Sequence, residues 1–322
     1  MELETTGDAF MGVQNLATAL VRSLEQVVRG KRRAIDAVVT TLLAGGHVLL
    51  EDVPGVGKTT LASSVAASVD AQVRRLQFTS DMMPTDVTGV AVYDDGSQEF
   101  NFHRGPIFTN IAIADEVNRA TPRAQSALLE AMAERSVSVD GTTYALPELF
   151  IVVATQNPQD MEGTFPLPEA QRDRFMTRIS LGYPDESDEA AMVTTRSEPR
   201  DQTPLTPVAS VAEVLEAQKS VRQVAVADEV ARYIVKIVAA TRIEPEIRLG
   251  GSPRATLHLT QMSKARAAMR GRSYVIPDDA AALAGMVLPH RLALNGRFST
   301  LDDAHATAAR LVAGIVATVR PR

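Results

Sequence analysis

The stretch E51-D-V-P-G-V-G-K-T-T60, entered from the apolar run H47-V-L-L50, decides how the rest of the chain is read. Gly-Lys-Thr closes a phosphate-binding loop, usually spelled G-x-x-x-x-G-K-[ST]. Counting back five residues from Gly57 reaches Asp52, where that spelling has glycine. Gly55 and Gly57 let backbone N–H groups turn inward around phosphate oxygens, and Lys58 brings them a point charge. Thr59 opens a helix whose N-terminus favours anions, and its hydroxyl can hold Mg2+. Asp52 stands where the chain leaves a strand for a tight turn, and aspartate is among the few residues besides glycine that tolerate left-handed backbone angles. By itself the octamer fits a glycine-rich turn before an ordinary helix equally well.

Working outward, short β-rich runs alternate with helical segments: His47 to Leu50, Val73 to Phe78, Asn110 to Ala114, Leu149 to Thr155 and Thr177 to Leu181. That rhythm predicts a parallel five-stranded sheet covered on both faces. Two stretches break it, G89-V-A-V-Y-D-D-G-S-Q-E-F-N-F102 and S136-V-S-V-D-G-T-T-Y-A-L146, each with alternating letters around an Asp-Gly pair. They predict two β-hairpins inserted into an α/β domain. Residues 1–45 hold two helical blocks broken at R29-G-K-R-R33 and lead into a core spanning 46–184. A connector at 185–208 contains Pro199, Pro204 and Pro207, and alanine-rich helical patterns fill an all-helical domain over 209–322.

Four further elements follow the loop in order. N110-I-A-I-A-D-E116 is an apolar strand ending in adjacent carboxylates. Asp115 is placed to order a Mg2+ shell and Glu116 to orient or deprotonate water. L149-F-I-V-V-A-T-Q-N157 is a second buried-type strand ending in an amide, so that Asn157 can polarise water. E169-A-Q-R-D-R-F175 offers arginines at a helix end, and G250-G-S-P-R-A255 a Ser-Pro helix start carrying Arg254. Taken singly, these are a solvated turn, a turn-forming asparagine, a charged helix end and a helix start. In this order after a phosphate loop they indicate a AAA+ ATPase.

The chain resembles the MoxR-type AAA+ ATPases over nearly its whole length. The resemblance rests on H47-V-L-L-E-D-V-P-G-V-G-K-T59, L76-Q-F-T-S-D-M-M-P-T-D-V-T-G89, G105-P-I-F108, A114-D-E-V-N-R-A120, Q125-S-A-L-L-E-A-M132, T155-Q-N-P-Q159, G163-T-F-P-L-P-E-A170 and G250-G-S-P-R254. It implies a five-stranded αβα P-loop core followed by a helical lid, and Mg·ATP hydrolysis in a hexameric ring, with one hairpin inserted within helix 2 and the other before the sensor strand. Val28 and Gly30 of V28-R-G30 would line the adenine pocket. Pro54, Gly55, Val56, Gly57, Lys58, Thr59 and Thr60 would cradle the phosphates, with Thr59 and Asp115 on Mg2+. Asp115 and Glu116 would form Walker B, Asn157 sensor 1, Arg174 the arginine finger and Arg254 sensor 2. Arg172 stands where similar sequences often carry an apolar residue, which leaves it as the alternative finger. The resemblance further implies chaperone-like remodelling of a client during maturation or cofactor insertion, beside a partner with a von Willebrand factor A domain.

Bulk properties limit the rivals. Thirty-nine acidic against 33 basic residues give a net charge of −6, so no global field recruits polyanions, and a nucleic-acid motor is disfavoured. A metal-chelatase motor subunit and an ATP-gated scaffold remain as alternatives. The absence of cysteine excludes disulfides, thiolate metal sites and cysteine nucleophiles. None of the five histidines has a ligand-like spacing, which leaves Mg2+ as the only metal expected. The apolar runs are too short to span a bilayer, and the acidic start (Glu2, Glu4, Asp8) lacks a secretion signal, so the expected location is the cytoplasm.

Overall fold

The computed structural model describes residues 2–157, 163–186, 189–190, 205–298 and 300–321. Apolar residues at helical spacing, Phe10, Val13, Ala17, Leu20, Val21 and Leu24, form the buried face of α1 (Glu2–Val27). Gly30, at φ 69°, turns the chain into α2 (Arg32–Leu43), which buries Ile35, Val38, Val39 and Leu42. β1 (Val48–Glu51) runs into the loop at 52–57 and then α3 (Lys58–Ser68). β2 (Val69–Asp70), β3 (Val73–Gln77) and the one-turn α4 (Pro84–Thr88) follow. Next come β4 (Gly89–Asp94), β5 (Glu99–Arg104), β6 (Ile111–Asp115) and α5 (Pro122–Glu134). β7 (Ser136–Val139), β8 (Thr142–Ala145), β9 (Ile151–Gln156), α6 (Glu169–Arg172) and β10 (Thr177–Ile179) complete the core.

Five of these strands form one parallel sheet in the order β10-β1-β9-β6-β3. Every residue of β1, β6 and β9 is buried, as two covered faces require. Side chains alternate between two cores with the period of two that a pleated strand imposes. Val48, Leu50, Ile111, Ile113, Ile151 and Val153 face α1, α2 and α3. Leu49, Ala112, Ala114, Val152 and Ala154 face a second core containing Leu128, Leu129 and Met132 of α5 with Phe78, Phe150 and Phe175. The sheet and its five strands are thus as the sequence predicts.

Both hairpins form, with two differences. In β7–β8, Val139 pairs with Thr142 around Asp140 and Gly141, whose φ values of 49° and 79° make the two-residue turn that matches strand twist. In β4–β5 the closing pair is Asp94 with Glu99, so the Asp-Gly lies inside a four-residue loop, capped by Asp94 Oδ1 accepting from Gly96 N at 2.9 Å. The first hairpin follows the short α4 rather than interrupting a longer helix. Pro84 starts that helix and Gly89, at φ 97°, ends it. Phe102 stacks on Tyr144 at 4.3 Å, so the two insertions touch.

After the core, β11 (Ala209–Ser210) pairs with β2, and α7 (Val211–Gln223) opens with a capping box between Ser210 and Glu213. The lid continues through α8 (Asp228–Ile243), β12 (Ile247–Leu249), α9 (Pro253–Ala268), α10 (Pro277–Val287), β13 (Ala293–Leu294) and α11 (Leu301–Thr318). The lid is therefore not all-helical: β12 and β13 pair antiparallel, which satisfies backbone groups of two connections that would otherwise be left unpaired. Helix α1 packs on α2, α3, α7 and α9, so the first helix bridges core and lid. Most of the expected connector, with Pro199 and Pro204, lies outside the described residues, as do Pro158 and Gln159. Among the described residues no helix is long and apolar enough to cross a membrane.

Candidate nucleotide-binding site

The loop at 52–57 leaves the C-terminal end of β1. Gly55 and Gly57 take φ values of 83° and 93°, a region other residues rarely adopt, and Gly57 leads directly into α3. Lys58 Nζ is folded back, donating to the carbonyls of Asp52 and of Val53, the latter at 2.8 Å. Burial lowers the Lys58 pKa, opposed by the charges of Asp52, Glu116, Glu51 and Asp115. Pro54, Gly55 and Thr60 are exposed, while Val56 rests against the core.

Asp52 plays a part different from the one expected. The non-glycine residues with positive φ among those described are Gln98, Glu116, Arg135 and Asp140, so Asp52 is not present for a left-handed turn. Its carboxylate is the reason. Oδ2 accepts from Ser180 Oγ at 2.8 Å and from Leu181 N and Gly182 N at 2.7 Å, and Oδ1 accepts from Val53 N at 2.8 Å. Burial raises the Asp52 pKa, but the bonds from Gly182, Ser180, Val53 and Leu181 outweigh it, and the net shift is downward. Asp52 thus staples the loop to the exit of β10. The next residue, Tyr183, gives its carbonyl to Lys31 Nζ at 2.7 Å. Lys31, next to Gly30, therefore reaches the same segment, 180–183, to which Asp52 fastens the loop.

Because β9 lies between β1 and β6, the sheet order brings the remaining polar strand ends beside this loop. Glu51 pairs with Gln156, and Ala114 with Ala154, so Asn157, Asp115 and Glu116 leave the same edge of the sheet. Asp115 Oδ1 accepts from Thr59 Oγ1 at 3.2 Å and from Thr155 Oγ1 at 3.1 Å. Its Oδ2 pairs with Arg75 Nε at 2.6 Å. Glu116 sits at φ 55°, a strained angle for this residue, with its N–H donating to Thr155 Oγ1 at 3.0 Å. Its Oε2 takes Gln77 Nε2 at 3.0 Å and Arg119 Nε at 3.1 Å. Asn157 is nearly buried, and its carbonyl accepts from Asn118 Nδ2 at 3.1 Å. The hard oxygen ligands of Thr59 and Asp115 beside a loop lined by glycine backbone fit a Mg·nucleotide.

Arg174 and Arg254 lie elsewhere. Met176 N donates to the carbonyl of His47 at 2.8 Å, so the segment before β10 lies level with the start of β1, while the phosphate loop leaves its end. The four residues of β1 separate those two levels by roughly 13 Å at ~3.3 Å per residue. In that segment Arg172 is turned inward: burial lowers its pKa, Glu169 and Glu51 are its acidic neighbours, and its Nε has no hydrogen-bond partner. Arg174 Nη1 instead donates to Leu129 O at 2.7 Å, and Phe175 beside it is fully buried. Between the two arginines, Asp173 accepts from Ser252 Oγ at 2.9 Å and from Arg291 Nη1 at 2.6 Å, and lies 3.5 Å from Arg254 Nη1. Arg254 is thus held beside Asp173, between Arg172 and Arg174 in the chain.

A family model described as the ATPase family associated with various cellular activities (AAA) matches residues 47–177, and an AAA lid domain model matches 239–313. Chaperone MoxR1 of Mycobacterium tuberculosis is 40% identical over 84% of this chain and 74% of its own. The chain belongs to the MoxR family of AAA+ ATPases. An uncharacterized protein of Bacillus subtilis, YeaC, is 46% identical to this MoxR-family chain over 85% of its length and 86% of the relative's. A crystal structure from Cytophaga hutchinsonii, described as an ATPase candidate, superposes with a TM-score of 0.88 at 34% identity, covering 100% of this chain and 99% of the other.

In this MoxR-family ATPase, sequence alone does not single out Arg75, Gln77, Thr155 and Asn118 around the strand end at Asp115 and Glu116, or Asp173 and Arg291 between core and lid. Arg75 and Gln77 are two apart in β3 and so share one face. The missing signal was the neighbour of that strand, since nothing local states that β3 borders β6.

Proposed function

We propose that this MoxR-family chain hydrolyses ATP with Mg2+ as a subunit of a hexameric ring in the cytoplasm, and that the ring remodels client proteins during maturation or cofactor insertion. The supporting observation is the convergence of Lys58, Thr59, Asp115, Glu116 and Asn157 at one edge of the sheet, with the base of Arg174 and the Arg254 pair at the other. In this reading Lys58 exchanges the carbonyls of Asp52 and Val53 for phosphate oxygens, and Thr59 and Asp115 hold Mg2+. The ion supplies charge neutralisation at the phosphates when bound. Glu116 accepts a proton from the attacking water, and Asn157 orients that water. Arg174, turned away from its own loop, serves a neighbour's γ-phosphate, a contribution in trans worth roughly 10³ to 10⁵ in rate. Arg254, held on the same edge, acts with it. A protein with a von Willebrand factor A domain is the expected partner, and the acidic balance of −6 argues against a nucleic-acid track.

Two variants and a dilution series test this. Lys58→Ala should lose nucleotide binding, whereas Glu116→Gln should bind ATP and lose turnover; equal loss of ATP affinity in both contradicts the assignment. Turnover per subunit should fall as dilution dissociates the assembly, and constant turnover in a monomer sinks the ring.

A further inference from the structure

Glu51, the last residue of β1, is almost fully buried, and its Oε1 accepts from two directions. Arg178 Nη2 of β10 donates at 2.9 Å and His305 Nε2 of α11 at 3.0 Å. Helix α11 is otherwise a lid element, packed on α8, α10 and the turn at 289–291. His305 carries the last helix of the lid to the root of the phosphate loop.

We propose that His305 is a positioning residue for nucleotide binding: through Glu51 it fixes the strand end from which the phosphate loop springs, so that the loop registers whether the lid is seated. The chain of contacts is short. The residues directly after Glu51 are Asp52 and Val53, whose carbonyls hold Lys58 Nζ. Asp52 in turn fastens its backbone to Ser180, Leu181 and Gly182. A shift of the Glu51 side chain therefore displaces the backbone from which the phosphate loop starts, with no intervening flexible segment. The carboxylate cannot relax into water, because its surroundings are closed and its ionised form depends on the two donors. Burial pushes the Glu51 pKa up, yet the His305 hydrogen bond and the Arg178 charge bring it down to about 2. Losing His305 leaves a buried carboxylate with one donor where it had two, and the strand end must move to find another.

The inference rests on the nucleotide-binding reading of the loop. The experiment measures binding of a fluorescent ADP analogue to the full chain and amide hydrogen exchange of residues 48–60, in wild type, Lys58→Ala, His305→Phe, His305→Gln and Glu51→Gln. His305→Phe keeps an aromatic ring, of somewhat greater volume, and removes the donor. It should weaken binding about 10-fold, the scale of one charge-assisted hydrogen bond, and speed exchange at 48–60. His305→Gln, which keeps a donor, should restore part of the loss. In the Glu51→Gln background His305→Phe should cost little more, because the two residues act through one contact. If wild type binds, Lys58→Ala does not, and His305→Phe binds like wild type, the positioning role is overturned while the loop assignment stands. Additive losses in the double variant, or no recovery with glutamine, overturn it as well. If wild type and Lys58→Ala behave alike, the nucleotide-binding reading itself fails.

Discussion

Acidification from pH 7.5 to 5 should destabilise this protein before its carboxylates titrate, because buried histidines at the junction of core and lid are held neutral. His47 Nδ1 accepts from Val152 N at 3.0 Å, which leaves Nε2 to donate to Met132 O at 3.3 Å. Protonating Nδ1 would set one N–H against another. His258 Nδ1 accepts from Arg291 Nη2 at 2.6 Å, where a proton would place two cations in contact. Burial lowers the His47 pKa to about 4, and burial with the Arg291 charge lowers that of His258 to about 3. His290, fully buried with Nε2 on Phe175 O, is lowered in the same sense by burial and Arg291. Each folded-state value lies below the ordinary 6.5, so the unfolded chain binds more protons, and stability falls as pH drops from about 6.5 towards 4. At pH 5 an unfolded histidine of pKa 6.5 gains a factor of about 30 over a folded one of pKa 4, or about 2 kcal/mol. His47 and His258 together cost about 4 kcal/mol against a typical total of roughly 5–15 kcal/mol. Urea unfolding at pH 7.5, 6 and 5 measures this. His258→Gln offers Arg291 a carbonyl that does not titrate, so it should lose about 2 kcal/mol less over the same range. Stability that stays flat to pH 5 would refute the neutral-histidine account, as would an unchanged slope in the variant.

Two further outcomes concern the loop and the arginines. Asp52→Gly should weaken nucleotide binding at least 10-fold in a titration with labelled ADP, since it removes the bonds to Ser180, Leu181 and Gly182, each of ordinary strength about 1 kcal/mol. An affinity within a few-fold of wild type would instead mean that only the turn geometry matters. Arg174→Ala subunits should be nearly idle alone and recover partial turnover when mixed with Lys58→Ala subunits, because some mixed interfaces join an intact arginine to an intact loop. Arg172→Ala should hydrolyse ATP nearly normally in the same assay; the reverse pattern would exchange the two assignments.

Features written in local chemistry are legible along the chain. Alternation in N110-I-A-I-A-D-E116 places a buried strand and its acidic end, Gly55 and Gly57 mark the phosphate loop, and Asp140-Gly141 forms the turn foreseen for it. Each depends on residues a few positions apart, where backbone sterics and side-chain period dominate. The tertiary structure decided the rest, because the deciding contacts join distant residues. Asp52 was misread for this reason: aspartate before a tight turn has a local explanation, but its partners here are Leu181 and Gly182, some 130 residues onward. Asp173 meeting Arg254 and Arg291, Arg75 meeting Asp115, and Glu51 meeting His305 follow from strand order and lid docking. No spacing announces which of 33 basic residues will reach a given carboxylate, since the chain closes such long loops at an entropic cost that grows only slowly with their length. The position of Arg254 shows the consequence. Its helix start is legible in Ser252 and Pro253, while the site it serves depends on how the lid sits on the sheet.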